Sequence, residues 1–170
     1  MIETLRSLVS DSAFPSLHVM VIHFPIACWF LAPLFDIGCV VFRKRVWLDR
    51  AAIALYVIGT IGAGAAYLTG QRAAAALQDL SPATESALAD HENLAVLTLV
   101  ALSVVSLVRL AVSWLGRNDR RINVGIFRLL AIPVALAGLA MLALTADRGG
   151  TLVYTHGVGV TQEDVGTLER

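Results

Sequence analysis

The sequence predicts an all-α fold, an integral membrane four-helix bundle with an ordered extracytoplasmic C-terminal segment. Of the 170 residues, 57% are hydrophobic and 15% are charged, whereas average soluble proteins carry roughly 25% charged residues. The mean hydropathy is +0.73. The apolar residues form four runs close to the ~20 residues that a helix needs to cross a lipid bilayer. The net charge is zero, so the composition gives no indication of nucleic-acid binding.

The four apolar runs predict the membrane-spanning helices of a single domain, 1–170. The spans cover residues 17–42, 51–68, 94–115 and 126–146. Pro25 and Pro33 fall inside the first span and Pro133 inside the fourth. Membrane helices tolerate proline where neighbouring groups satisfy the freed carbonyls. We expect irregular backbone at Pro25 to help shape a site beside His23.

The connections between the spans carry further signals. Ser81 and Pro82 predict an N-cap followed by proline at the first helical position, so the third helix starts before it enters the lipid. The tail 149–170 is too short and polar for a fifth span. Its beginning, 149–160, is rich in β-favouring residues and interrupted by glycine. We expect this segment to be ordered and to fold back over the bundle, with a frayed end.

The basic residues predict the orientation in the membrane. Nine of the thirteen Lys and Arg residues lie in or beside the loops after the first and third spans. By the positive-inside rule this side is cytoplasmic, which places both termini on the periplasmic side. Ten of the thirteen acidic residues also fall on the periplasmic side. Glu3 interrupts any basic region of a signal peptide, so we expect the first apolar run to stay in the membrane.

All four histidines fall at the predicted periplasmic end. They are His18, His23, His91 and His156. A histidine in or near a span is expensive unless it is partnered, and neutral imidazole is a common ligand of haem iron and transition metals. Two imidazoles from different helices can hold a haem in a bundle core. Each histidine also has a simpler interpretation, as an interfacial, hydrogen-bonded, helix-capping or loop residue.

These observations predict a haem b site near the periplasmic face. His23, His91 and His156 are the leading ligand candidates, with His18 as the fourth; one haem would use two of them and two haems all four. Arg72 and Arg148 are placed to hold the propionates. Gly62, in the glycine-rich second span, would make room for the ring.

Two other interpretations remain open. Three or four of the same histidines, with Asp90 or Glu92, could bind zinc or copper instead. The chain could also be a structural or assembly subunit of a larger membrane complex, with its small-residue faces as partner surfaces. Cys28 and Cys39 lie too far apart along one helix to form a disulfide with each other.

Two charged residues inside the predicted spans need a partner or a route to water. Asp36 and Arg109 both lie towards the cytoplasmic side. A buried pair between them is one possibility, and an Arg109 side chain that extends to the basic surface is the other.

The chain resembles a bacterial membrane family catalogued as domain of unknown function 2231. The resemblance rests on L-H-x-x-x-x-H-F-P-I at 17–26, on His91, and on G-G-x-L-V-Y-x-H-G-V-G-V at 149–160. Val19 stands where the family pattern usually has proline. The resemblance implies a four-helix inner-membrane protein of bacteria whose family histidine positions are the four named above. It also implies an association with cytochrome-type electron-transfer components, which favours haem over other metals.

The functional hypothesis is therefore a b-type cytochrome in the bacterial inner membrane. It would pass electrons between the membrane quinone pool and a periplasmic c-type cytochrome or other redox subunit. The sequence favours a component of a redox complex, which could form an oligomer, over a stand-alone enzyme.

Overall fold

A computed structural model describes residues 14–42, 45–118 and 124–159. These residues form four long helices and no strand: α1 (Phe14–Val41), α2 (Val46–Ala75), α3 (Pro82–Asn118) and α4 (Val124–Tyr154). Each helix contains a stretch long and apolar enough to cross a membrane: Leu17–Val41, Val46–Ala75, Pro82–Gly116 and Leu129–Tyr154. The predicted all-α membrane fold is confirmed.

The helices run alternately up and down around a square. Each packs against the next in the chain, and α4 closes the square against α1. The helices therefore form two antiparallel hairpins, α1–α2 and α3–α4, with α1 diagonally opposite α3. Packing is most extensive within the hairpins and less so between them.

The start of α3 and the prolines inside two other helices test the expectations about local structure. The third helix begins at Pro82, and the Thr84 N–H donates to Ser81 Oγ at 3.2 Å, which confirms the predicted N-cap. Pro25 and Pro33 lie inside α1, which stays helical through both. The irregular backbone expected at Pro25 is therefore not present in the assigned secondary structure. Pro133 is accommodated in α4 in the same way.

The last helix is longer than the sequence indicates. It runs through Tyr154, so the β-rich interpretation of this segment is wrong. Packing of α4 against α3 overrides local preference here. The helix ends in a Schellman motif, in which Gly157 has a φ of 66° and the Val158 N–H donates to Leu152 O at 3.0 Å. Residues 155–159 form turns, and the rest of the predicted tail, 160–170, lies outside the described residues.

The core lies at mid-height where all four helices meet. It is built from Trp29, Ala32, Ala52, Tyr56, Leu102, Val105 and Ala135. Large apolar side chains cover the outside: Met20 is 73% exposed, Ile61 68% and Leu107 65%. A surface of this kind is stable against lipid rather than water.

The two hairpins make equivalent contacts at equivalent spacings. A Cβ added to Gly59 would lie 2.7 Å from Trp29 Cδ1, and one added to Gly138 would lie 3.3 Å from Leu102 Cδ2. Leu102 follows Trp29 by 73 residues, and Gly138 follows Gly59 by 79. Asp36 and Arg109, which pair directly, are also 73 residues apart. The bundle is thus an approximate twofold repeat of one hairpin, with its axis along the bundle.

Candidate functional site

The four histidines that the sequence singled out lie at one end of the bundle. The same end holds the beginnings of α1 and α3 and the ends of α2 and α4. This histidine end is defined by His18, Gly70, His91, Gly149 and the residues in contact with them. The structure supports the shared location predicted for His18 and His91. It also shows that the individual histidines have different surroundings, which sequence alone did not.

His18 lies between the two helices of the first hairpin. Its Nδ1 is 3.0 Å from the Ala66 carbonyl oxygen and 3.2 Å from Thr69 Oγ1. The Thr69 hydroxyl in turn donates to carbonyls of its own helix. A Cβ added to Gly70 would lie 3.0 Å from His18 Cε1. The imidazole therefore packs on a stretch of α2 that only glycine leaves open.

His91 occupies the corresponding place in the second hairpin. Its Nδ1 is 3.1 Å from the Thr145 carbonyl oxygen, and a Cβ added to Gly149 would lie 3.1 Å from His91 Cε1. In both hairpins the glycine follows the carbonyl by four residues. His91 follows His18 by 73 residues and Gly149 follows Gly70 by 79. These are the spacings of the repeat, so the two histidines are equivalent residues on diagonally opposite helices.

The carbonyl contacts determine the tautomer of both rings. A carbonyl oxygen only accepts hydrogen bonds, so Nδ1 must carry the proton in His18 and in His91. In the neutral ring the lone pair is then on Nε2, the nitrogen available to a ligand. Both rings are partly buried. The arrangement offers two oriented imidazoles, one from each hairpin.

His23 is placed differently. Its side chain is exposed on the outer surface of α1, and its Nδ1 lies 2.7 Å from the carbonyl oxygen of Val19 in the same helix. The structure does not bring it into the bundle with His18, in keeping with the ~140° that separates positions five residues apart on a helix.

His156 lies in the turn after α4. Its Nδ1 is 3.4 Å from Thr84 Oγ1, which is in the first turn of α3. The Thr84 hydroxyl also lies 2.9 Å from Ser81 Oγ. The contact holds the end of the chain against the cap of α3. Thr84 precedes His91 by two helical turns, about 10 Å along the axis, so His156 lies farther out than His91.

The residues predicted to surround a haem divide into two groups. Arg72 and Arg148 are exposed residues of the histidine end, two residues after Gly70 and one before Gly149. Gly62 does not border open space, because a Cβ there would lie 2.8 Å from Phe24 Cδ1 and 3.4 Å from Pro25 Cδ. It admits a phenylalanine from α1, so the expected space for a porphyrin at Gly62 is filled by Phe24.

The predicted zinc or copper site needs three or four ligands in one place. Across residues 14–42, 45–118 and 124–159, no group of three or more His, Cys, Asp or Glu side chains is close enough to hold a metal ion. Two histidines suffice for axial ligation of haem.

Comparison with known proteins places the chain in a family. The sequence profile of a family described as predicted membrane protein, DUF2231, matches residues 15–162. The chain belongs to the DUF2231 family. No match was found among curated proteins or among solved structures. The family assignment agrees with the four spans but does not establish the chemistry of this DUF2231 protein.

The other end of this DUF2231 protein holds a buried ionic cluster. Arg109 Nη2 donates to Asp36 Oδ1, and Arg109 Nε donates to Asp36 Oδ2 at 3.1 Å. The same Nη2 donates to Asp49 Oδ1 at 3.2 Å. Tyr56 donates to Asp36 at 3.0 Å, and Ser113 donates to Asp49 at 3.4 Å. We call these five residues the ionic end.

The ionic end was only partly visible in the sequence. A pair between Asp36 and Arg109 was one of two expectations, and the structure shows it: their side chains are 0% and 1% exposed. Sequence reasoning missed Asp49, Tyr56 and Ser113, which complete the cluster. Asp49 lay just outside the predicted second span. An acidic residue in the first turn of an apolar helix is a signal that could have identified it.

Proposed function

We propose that this DUF2231 protein is a b-type cytochrome that binds one haem between its two hairpins, with His18 and His91 as axial ligands. The observation that carries the proposal is the equivalence of these two histidines in the repeat. A haem presents two similar faces, and six-coordinate iron takes one imidazole on each. A twofold repeat that supplies one imidazole from each half meets that requirement.

The hydrogen bonds of both histidines support the same interpretation. A ligating histidine usually donates its other ring N–H to a carbonyl or carboxylate, which orients the ring and raises its basicity. His18 has this bond to Ala66 and His91 has it to Thr145. Nε2 is then the nitrogen that would bind iron in both.

Neighbouring residues also support the proposal. Gly70 and Gly149 let each imidazole lie against a helix backbone, which holds the ring plane in one orientation. Arg72 and Arg148 each lie within two residues of one of these glycines and carry the positive charge that propionates require. When bound, haem supplies a one-electron Fe(III)/Fe(II) couple.

The position of the site suggests its role. If the basic end faces the cytoplasm, the haem lies near the periplasmic face of a bacterial inner membrane. The protein would then accept electrons from the quinone pool and pass them to a periplasmic c-type cytochrome or another redox subunit. The residues of the bundle bind and orient the cofactor, and the lipid-facing surface holds it at a fixed depth.

Absorption spectroscopy tests the proposal. The full chain is expressed with adequate haem supply and purified in a mild detergent. The dithionite-reduced spectrum, the pyridine haemochrome and the iron content are then measured. We expect a Soret band and haem b in the purified protein. His18→Ala and His91→Ala should each abolish the low-spin spectrum, because each removes one axial ligand.

Two matched variants serve as controls. His23→Val and His156→Ala also remove a histidine from the same end, and both should retain the spectrum. Absence of a Soret band in the wild-type protein would refute the proposal. Stoichiometric zinc or copper instead of iron would favour the metal-binding alternative. If none of the four substitutions changed bound metal or spectrum, the structural-subunit alternative would be favoured.

A further inference from the structure

His23 is a polar side chain on an apolar outward face of α1. The ring is exposed, and it shares this face with Met20, Ala27, Phe30 and Leu34, which are also exposed. His23 is six residues beyond Leu17, where the span begins, or about 9 Å into the span. An imidazole facing lipid at this depth is costly unless something binds it.

The repeat shows that His23 is specific to one hairpin. The corresponding position in the second hairpin, 73 residues later, is Val96. Val96 is also exposed, at 41%, as expected for a residue that contacts acyl chains. The fold therefore places an apolar residue at this position in one half of the bundle. The imidazole in the other half is not required by packing.

The hydrogen bond of His23 defines what it can bind. Nδ1 donates to the Val19 carbonyl oxygen at 2.7 Å, so the neutral ring carries its lone pair on Nε2. An exposed acceptor about 9 Å into the span suits an O–H donor that is soluble in lipid. His23 also follows the proposed ligand His18 by five residues, about 7.5 Å along α1.

We propose that His23 is the binding and proton-accepting residue of a hydroquinone site on the outer surface of α1; this rests on the proposed haem function. The hydroquinone O–H donates to His23 Nε2. The hydroquinone ring lies beside Phe30, where the small side chain of Ala27 leaves room for it. The hydroquinone tail lies in the lipid along the apolar face of α1.

The proposed reaction is the oxidation of the bound hydroquinone. Oxidation to the quinone releases two protons and two electrons. One O–H bond breaks as its proton moves to His23 Nε2, and the second proton leaves to water at the nearby membrane surface. If the proposed haem is bound, it would accept the electrons one at a time. A one-electron acceptor outside the membrane reoxidises the haem between the two transfers.

Two measurements on the full chain in nanodiscs test the site. In the first, the fluorescent quinol analogue 2-heptyl-4-hydroxyquinoline N-oxide is titrated with the protein, which reports binding whether or not haem is present. In the second, decylubiquinol is mixed anaerobically with the oxidised protein and haem reduction is followed. We expect His23→Val to weaken binding about tenfold, as for removal of one hydrogen bond, and to slow reduction at least as much.

The controls separate this proposal from the haem proposal. Val96→Ala changes the corresponding residue of the other hairpin and should leave both measurements unchanged. The dithionite-reduced spectrum of His23→Val should equal that of the wild type. Unchanged binding and reduction in His23→Val would overturn the hydroquinone site while leaving the haem intact. A change only in oligomeric state would also overturn it, because His23 would then face a partner chain. Analogue binding that depends on His23 in a chain without haem would support the site and refute the haem.

Discussion

Each end of the bundle holds a pair of residues that are equivalent in the repeat, and the two pairs form their hydrogen bonds in opposite ways. At the ionic end, Asp36 and Arg109 are equivalent residues of the two hairpins, and they bond to each other. At the histidine end, His18 and His91 are equivalent residues too, but each bonds through Nδ1 to the backbone of its own hairpin. The first pair bonds across the two hairpins, whereas each member of the second pair bonds within its own hairpin.

This difference separates a structural cluster from the proposed binding site. A buried charge without a partner is strongly destabilising, so the ionic end holds α1, α2 and α3 in register by its own bonds. A neutral imidazole with one hydrogen bond already made costs far less. The histidine end can therefore lack a ligand without destabilising the fold. Stability variants and ligand variants should accordingly map to opposite ends.

The largest effect on stability is expected at the ionic end. Arg109→Met removes a positively charged partner of both Asp36 and Asp49, leaving two carboxylates in an apolar bundle. The expected loss is about 3–5 kcal/mol in the free energy of unfolding. Denaturation of the purified protein in mixed detergent micelles, followed by circular dichroism, measures it.

Two further variants check the cause. Asp36→Asn keeps the bond between Arg109 and Asp49 and should cost less than Arg109→Met. The triple variant Asp36→Asn, Asp49→Asn, Arg109→Met removes every charge of the cluster and should recover much of the loss. A loss below about 1 kcal/mol for Arg109→Met, the usual size for an exposed pair, would contradict a structural role for the ionic end.

A smaller loss is expected at mid-height, between the two ends. In Gly59→Ala the new Cβ would lie 2.7 Å from Trp29 Cδ1 and 2.8 Å from Cys28 Cβ, so a fully buried indole must move. We expect a loss of about 1–3 kcal/mol, measured by the same denaturation. Gly64→Ala is the matched control, because a Cβ there meets nothing within 4 Å. Equal stability of the two variants would show that the close packing of α1 on α2 is not needed.

At the histidine end a glycine variant should affect the ligand more than the fold. The Cβ in Gly149→Ala would lie 3.1 Å from His91 Cε1, which requires the imidazole to shift by a few tenths of an ångström. The loss of stability should stay below about 1 kcal/mol. The protein should retain less haem after gel filtration, as read from the ratio of Soret to protein absorbance.

The neighbouring glycine provides the control for this variant. In Gly150→Ala the nearest atom to the new Cβ is 3.9 Å away, on Tyr154, so neither stability nor haem content should fall. If the two alanine variants retained haem equally, contact between Gly149 and the His91 ring would not matter for ligation.

The smallest effect is expected at His156. Its contact with Thr84 Oγ1 is long, at 3.4 Å, so His156→Ala should cost about 0.5 kcal/mol or less. Hydrogen exchange of residues 152–158 should become faster while the haem spectrum remains unchanged. Loss of the spectrum would instead identify His156 as a ligand and contradict the assignment of both ligands to the equivalent pair His18 and His91.

Most of the fold was predictable because lipid imposes strict requirements. Four apolar runs must be helices, and short connections force neighbouring helices to be antiparallel. Ser81 and Pro82 predicted the start of α3 correctly. The predicted end of α4 was wrong because Gly149 and Gly150 disfavour helix in isolation. In the bundle, packing against His91 stabilises a helix that contains both glycines.

The candidate site was predictable in part. Histidine position along the chain indicated the end of the bundle but not the side on which each ring lies. His23 ranked above His18 because it lies five residues deeper in the first span, next to Phe24 and Pro25. A repeat of contacts at 73 and 79 residues, visible once the halves are compared, is the signal that singles out His18 and His91. Residue identity alone does not reveal it, because Asp36 corresponds to Arg109 and Trp29 to Leu102.

By itself the sequence determined the membrane environment, the number of helices and the end at which the histidines gather. These properties depend on hydrophobic length and charge distribution, which are additive along the chain. Only the tertiary structure decided which residues meet: His18 with Ala66 and Gly70, Arg109 with Asp36 and Asp49, and Phe24 with Gly62. Such contacts depend on the rotation and register of one helix against another, and those are set by packing between residues far apart in sequence.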